Sequence, residues 1–254
     1  MEFALSNIKI VVAEDYDQMS AKAAHIMAEE MNLRPDGVFG FATGSTPVGM
    51  YQELIRMNKA GELSFAGVTT FNLDEYYPIA KANPQSYDYF MKDNLFNHVD
   101  VDKSRVNIPS GECEDPEIEC AAYEAKVAAA GGIDMQLIGI GLNGHIGFNE
   151  PADHFVGATN YVELDDSTIQ ANRRFFASAK DVPRHALTMG IRTIMLARKV
   201  ILIANGEKKA GILEKVLFGN IVPQVPASVL QLHRNVTVVM DKLAAAEVAK
   251  KLKM

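Results

Sequence analysis

Residues 133–151 read IDMQLIGIGLNGHIGFNEP. The apolar run 133–140 has the length and composition of a buried strand, and Gly139, Gly141, Gly144 and Gly147 make the segment that leaves its carboxyl end a tight turn. By spacing, 139–144 match the glycine pattern of dinucleotide-binding proteins. That pattern requires a helix to open directly behind it, and His145, Gly147, Asn149 and Pro151 make a poor helix start. The strand therefore reads as part of an α/β sheet whose turn has another use. Chemically, the turn places the imidazole of His145 two residues after the amide of Asn143 and five before the carboxylate of Glu150. A carboxylate partner orients a histidine and raises its proton affinity, which suits general acid/base work. A lone histidine is most often structural, but one set among glycines, an amide and a carboxylate at a strand end is a catalytic candidate.

On either side of this stretch, short apolar runs alternate with helical patterns. Runs 8–12, 37–42, 68–73, 200–204 and 236–240 read as strands. Helices are expected over 19–31, from Pro47 onward with Tyr51, Leu54 and Ile55 on one face, around 86–96, over 117–129 and over 207–217. Strands separated by helices imply βαβ units in a mainly parallel sheet covered by helices on both faces. No repeat or linker interrupts the pattern, so the 254 residues read as one α/β domain. Segment 151–184 is polar and irregular, which makes it the candidate for a mobile lid.

The chain is 48% hydrophobic and 22% charged, with a formal net charge of −7 and no basic run. Such a chain lacks the electrostatic drive for nucleic acid, and an anionic ligand has to be held by local cations. No apolar run approaches the roughly 20 residues needed to span a bilayer, and residues 1–6 carry no signal core before the polar Asn7 and Lys9. A cytoplasmic protein with no membrane or nucleic-acid partner is expected. Cys113 and Cys120, the only cysteines, match no zinc spacing and read as reduced thiols. His25, His98, His154, His185 and His233 lack a carboxylate or cysteine at ligand spacing, so they read as structural or exposed and no metal site is expected.

Ligands of open α/β sheets sit beyond the carboxyl ends of the strands, and three further ends carry candidate chemistry. After 37–42 comes Thr43-Gly44-Ser45-Thr46-Pro47, where Thr46 can cap the next helix and Pro47 suits its first turn. Free backbone N–H groups at Gly44, Ser45 and Thr46 suit a phosphate; a plain strand–helix turn is the other reading. After 68–73 come Asp74 and Glu75, two carboxylates uncomfortable at a buried strand end without a solvated cleft or a partner. Asp74 suits a base that moves a proton between neighbouring carbons, or else a helix cap. After 200–204 come Lys208 and Lys209, and further cations stand at Arg173 and Arg174 before Phe175 and Phe176. Any of these can pair with phosphate or simply be solvated.

Together these turns resemble the glucosamine-6-phosphate deaminase family. The segments that carry the likeness are Ala42-Thr43-Gly44-Ser45-Thr46-Pro47, Phe71-Asn72-Leu73-Asp74-Glu75-Tyr76, residues 144–151, and Pro226-Ala227-Ser228-Val229-Leu230-Gln231-Leu232-His233. The resemblance spans nearly the whole chain. It implies a modified Rossmann-like α/β fold, a small-molecule sugar phosphate as substrate and no cofactor. It implies conversion of glucosamine 6-phosphate into fructose 6-phosphate and ammonia, as in amino-sugar catabolism. It further implies Asp74 as the base that shuttles a proton from C2 to C1, and His145 as the group that opens the pyranose ring, supported by Asn143 and Glu150. Gly44, Ser45 and Thr46, with Arg174 and Lys209, would hold the phosphate. Two departures stand out: many members have aspartate where this chain has Asn143, and allosteric members carry basic residues where it has Asn160 and Val162. The second departure argues against activation by N-acetylglucosamine 6-phosphate, and the short tail beyond Met240 points to a monomer or small homo-oligomer. Three rivals remain: galactosamine-6-phosphate deamination, a non-catalytic sugar-phosphate sensor, and 6-phosphogluconolactonase. In the last, Thr-Ala-Ser-type residues typically follow the histidine, whereas Ile146-Gly147-Phe148 follow it here.

Overall fold

The central strands of the main sheet are built from residues that bury both faces. In the computed structural model, which describes residues 2–5, 7–176 and 178–252, strands β1 (Glu2–Leu5) and β2 (Ile8–Ala13) precede helix α1 (Tyr16–Leu33). Then come β3 (Val38–Phe41), α2 (Val48–Lys59), β4 (Thr69–Asn72), β5 (Asp74–Tyr77), α3 (Tyr87–Met91) and β6 (Val106–Asn107). They are followed by α4 (Pro116–Ala129), β7 (Met135–Ile138), β8 (Asn160–Glu163), α5 (Asp166–Asn172), β9 (His185–Thr188) and α6 (Ile191–Met195). The chain closes with β10 (Lys199–Ala204), α7 (Ala210–Phe218), β11 (Val236–Asp241) and α8 (Ala246–Leu252). Every residue of β3 and β7 is buried, and so is all of β10 after Lys199. Because successive side chains point to opposite faces, both faces of the sheet are covered.

The eight-stranded sheet runs β1-β2-β11-β10-β7-β3-β4-β6, parallel throughout except for the antiparallel β1–β2 pair. From β3 the chain moves outward to β4 and β6, then returns to β7 on the other side of β3 and moves the opposite way through β10 and β11. The order thus reverses between β3 and β7, which opens a crevice at their carboxyl ends. Helix α1 packs Met19, Ala23, Met27 and Met31 into the core and starts at Asp15, whose side chain accepts from Gln18 N. Each large apolar side chain buried in this way contributes about 1.5–3 kcal/mol over leaving it exposed.

A second, antiparallel sheet of order β5-β9-β8 stands beside the first. The junction is a single residue: Leu73 N donates to Phe41 O on the main-sheet side, and Leu73 O accepts from Met189 N behind β9. The next residue, Asp74, already pairs with Thr188 in the small sheet. Segment 151–184 departs from the irregular loop expected of it. It holds β8 and α5, and its Val162, Leu164, Ile169, Phe176 and Val182 pack with Tyr76, Ile79, Tyr87 and Phe148 in a separate apolar cluster. Two helical expectations also shift: 86–96 divides into α3 and a π-helical turn, Lys92–Phe96, and 207–209 form a 3-10 turn ahead of α7. No helix among the described residues is long and apolar enough to cross a membrane.

Candidate active site

The groups singled out at the four strand ends converge over the crevice. The turn behind β7 folds into a closed hydrogen-bonded cluster. His145 Nδ1 donates to Glu150 Oε2 at 3.1 Å, Asn143 Nδ2 donates to the same oxygen at 2.8 Å, and Asn143 Oδ1 accepts from His145 N at 3.2 Å. The assignment of the Nδ1 proton follows from the carboxylate facing it. Burial pushes the Glu150 carboxyl up, but His145, Thr168 and Asn143 outweigh it, and the group is held below its ordinary range. The turn can pass so close to the imidazole only as glycine, because a Cβ on Gly141 would lie 2.4 Å from His145 Cε1. The neighbouring loop is braced from the last third of the chain, where Ala227 N donates to Gly144 O at 2.9 Å.

Asp74 stands across the same loop. Gly147, with φ +58°, brings the backbone against it: a Cβ there would sit 2.8 Å from Thr188 Oγ1 and 3.5 Å from Asp74 Oδ2. Thr188 Oγ1 in turn accepts from Phe148 N at 2.9 Å. Asp74 is only 6% exposed, yet none of the hydrogen bonds among the described residues reaches its carboxylate. Burial, and then the charge of Glu75, raise it to about 8. Glu75 is 1% exposed and satisfied by three backbone donors: Tyr76 N at 2.9 Å, Tyr87 N at 2.8 Å and Asp88 N at 2.9 Å. Helix capping, the alternative use for Asp74, therefore falls to Glu75, which caps the first turn of α3.

The turn behind β3 is shaped by side chains from other elements. Tyr16 OH donates to Ser45 O at 3.2 Å and accepts from Gly49 N at 2.8 Å. Thr46 does not cap α2 as expected. Its hydroxyl donates to Asn205 Oδ1 at 2.8 Å, and Pro47 occupies the cap position with no side-chain bond to the helix. The tie to Asn205 draws the 43–47 turn toward the 205–209 turn, whose Gly206 N is held by both oxygens of Asp241. From there Lys209 Nζ reaches back to Ile140 O. Arg174, carried over from the second sheet's side, donates to Ser45 Oγ at 3.4 Å and stacks on Phe175. Burial and then the nearby Arg174 lower Lys209 to about 8. Neither cation is ion-paired with a carboxylate among the described residues, an arrangement open to an incoming anion. Arg173 and Lys208 make no comparable tie to the crevice.

Two contributors had no sequence signal. Asn205 acts through a partner 159 positions away. Thr168, on α5 and 3% exposed, places its hydroxyl 3.4 Å from His145 Nδ1. Of the remaining histidines, His233 is buried with both ring nitrogens on backbone groups, His185 stacks on Tyr161, and His154 pairs with Asp153 at the surface.

The fold and site define an α/β protein that gathers acid/base groups and unpaired cations at the point where its strand order reverses. The chain belongs to the family of glucosamine-6-phosphate isomerases/6-phosphogluconolactonase, whose model matches residues 14–239. It is 50% identical over 240 residues to a glucosamine-6-phosphate deaminase of Clostridium botulinum, covering 94% of this chain and 98% of that protein. It is 49% identical over 240 residues to one of Clostridioides difficile, covering 94% and 96%. Among solved structures, a monomeric glucosamine-6-phosphate deaminase superposes with a TM-score of 0.92 at 45% identity, covering 94% of this chain and 99% of the other. The 6-phosphogluconolactonase of Trypanosoma cruzi shares the fold, with a TM-score of 0.74 at 20% identity over 98% of both chains.

Proposed function

We propose that the chain deaminates and isomerises glucosamine 6-phosphate to fructose 6-phosphate and ammonia. The observation that carries this reading is Asp74: a buried carboxylate with no hydrogen-bond donor among the described residues, lifted to about 8, across one glycine from a histidine–glutamate pair. A base left without donors is set to receive a proton from a ligand rather than to hold the fold. The relatives at half identity support the same reaction.

In this reading the phosphate lies between the 44–46 turn, Arg174 and Lys209, which fixes the distant reacting carbons. His145, oriented through Nδ1 by Glu150, uses its other nitrogen to take the O1 proton and deliver one to O5, opening the ring. Asn143 holds Glu150 in place. Asp74 then takes the C2 proton and returns it at C1. The resulting C2 imine adds water and releases ammonia, leaving the ketose. Each positioned acid/base step is worth on the order of 10²–10⁴-fold. The enzyme works in the cytoplasm as a monomer or small homo-oligomer, and the solved monomeric relative supports the monomer.

The test is ammonia release from glucosamine 6-phosphate, with galactosamine 6-phosphate and 6-phosphogluconolactone in parallel, for wild type and Asp74→Asn. Turnover of the gluco substrate alone, reduced at least about 100-fold in the variant, is the expected result. Turnover of the galacto substrate or the lactone in its place would refute the assignment, and tight binding without turnover would make the chain a sensor.

A further inference from the structure

Thr168 has no part in the reaction outlined above, yet it is the residue through which α5 touches the acid/base cluster. Its hydroxyl is buried, lies 3.4 Å from His145 Nδ1, and helps keep Glu150 charged. Its backbone is independently fixed, with Thr168 N donating to Asp165 O at 2.9 Å. The same short segment is fastened to the crevice at two more points: Asn172 Nδ2 donates to Tyr76 OH at 2.8 Å, and Arg174 reaches Ser45. One stretch of seven residues therefore contacts the ring-opening pair, the β5 strand that carries Asp74, and the phosphate turn.

We propose that Thr168 is a positioning residue, the point at which docking of the α5 segment completes the His145–Glu150 pair for ring opening. Glu150 Oε2 is shared by His145 and Asn143, while Glu150 Oε1 is buried and unpartnered. A carboxylate with a free buried oxygen can rotate away from the imidazole, and the Thr168 hydroxyl, 3.4 Å from His145 Nδ1, holds the imidazole in register with it from the α5 side. The charged neighbours that bear on the pair are few. His145 faces Glu150 from its own loop, and Asp165, the cap residue of α5, also interacts electrostatically with the imidazole. Among the described residues, no other side-chain hydroxyl is hydrogen-bonded to His145 or Glu150. The closure of the phosphate end by Arg174 and the setting of the acid/base end by Thr168 become one event, because five residues separate them on one segment.

The inference rests on the deaminase reading and is tested alongside it with Thr168→Val and Thr168→Ser. Valine keeps the shape and removes the hydroxyl, so kcat for glucosamine 6-phosphate is expected to fall roughly 10- to 100-fold, the worth of one hydrogen bond to a charged group. KM is expected to stay within about two-fold, since the phosphate contacts are untouched. Serine restores kcat. Independently of turnover, the carboxyl carbon resonance of Glu150, assigned by comparison with Glu150→Gln, is expected to titrate at higher pH in the valine variant, because Thr168 is one of the groups that hold that carboxyl down. Wild-type turnover together with an unchanged kcat and an unmoved Glu150 titration in Thr168→Val overturns the role of Thr168 and leaves the deaminase reading intact. A wild type that releases no ammonia overturns the deaminase reading itself, and a Glu150 titration unmoved by the valine then removes Thr168 as well.

Discussion

Asp74 and Glu75 follow one another at the junction of the two sheets, both nearly out of solvent, and differ in what their oxygens receive. Glu75 accepts three backbone N–H groups, and Asp74 accepts none. Burial first, and the charge of Glu75 second, keep the Asp74 carboxyl protonated up to about pH 8. Only the ionised form can act as a base, so kcat/KM is expected to fall as pH drops through about 8. In Glu75→Gln the neighbouring charge is gone and this limb is expected to move to lower pH, as followed by ammonia release. A limb that stays in place in the glutamine variant would show that Glu75 does not tune the base. The shift also bears on stability. A carboxyl raised on folding contributes stability below its ordinary value of 3.8 that is lost as pH rises through about 8. Asp74→Asn is therefore expected to melt at a higher temperature than wild type above that pH, the exchange of activity for stability common at catalytic sites.

At the scale of elements, the unit of interest is β8 with α5 and the 3-10 turn Arg173–Phe175. These pack through a small apolar cluster of their own, centred on Tyr76 and Phe148, rather than through the main core. Segments held by few buried contacts open more readily than the core they cover. We propose that 151–184 is a lid in this sense, anchored by Asn172 on Tyr76 and by Arg174 on Ser45. An anion bridging Arg174 and Lys209 adds a further anchor, so amide exchange in 166–176 is expected to slow when the substrate phosphate is bound. Arg174→Ala is expected to abolish that slowing and to raise KM about ten-fold with a smaller change in kcat. Exchange that is indifferent to ligand would make the segment a fixed wall.

Over the whole molecule, a formal charge of −7 opposes an anionic ligand at long range. In the proposed reaction, capture falls to the two local cations, Arg174 and Lys209, and the second of them is tuned. Burial, and then Arg174, bring Lys209 down to about 8, so its charge is present below that pH and lost above it. Sulfate, whose own charge does not change in this range, is expected to bind less tightly as pH rises through about 8 in a calorimetric titration. Lys209→Met is expected to weaken binding and flatten the pH dependence. In the proposed reaction Asp74 acts as the base and gains its charge over the same interval, so the two requirements oppose each other and are expected to confine activity to a band around that pH.

The sequence by itself determined six of the eight strands of the main sheet, all but β1 and β6, and half the candidate site. Runs such as 37–42 and 200–204 are apolar on both faces, and a strand buried on both sides announces itself whatever it pairs with. Asn143, His145 and Glu150 lie within eight positions, so their meeting follows from local spacing and tight turns. The small sheet was not legible: Asp74–Tyr77, Asn160–Glu163 and His185–Thr188 are four residues each, largely polar or mixed, and become strands only by pairing with one another. Thr46 shows the same limit within the site. Its sequence context fits a helix cap, and a partner 159 residues away claims its hydroxyl instead. The isolation of Asp74, the approach of Lys209 to Arg174 and the reach of Thr168 to His145 were likewise decided by the tertiary structure. Hydrophobic periodicity and turn chemistry are local and can be read along the chain, whereas burial and hydrogen-bond partners depend on residues that meet only once the sheets have packed.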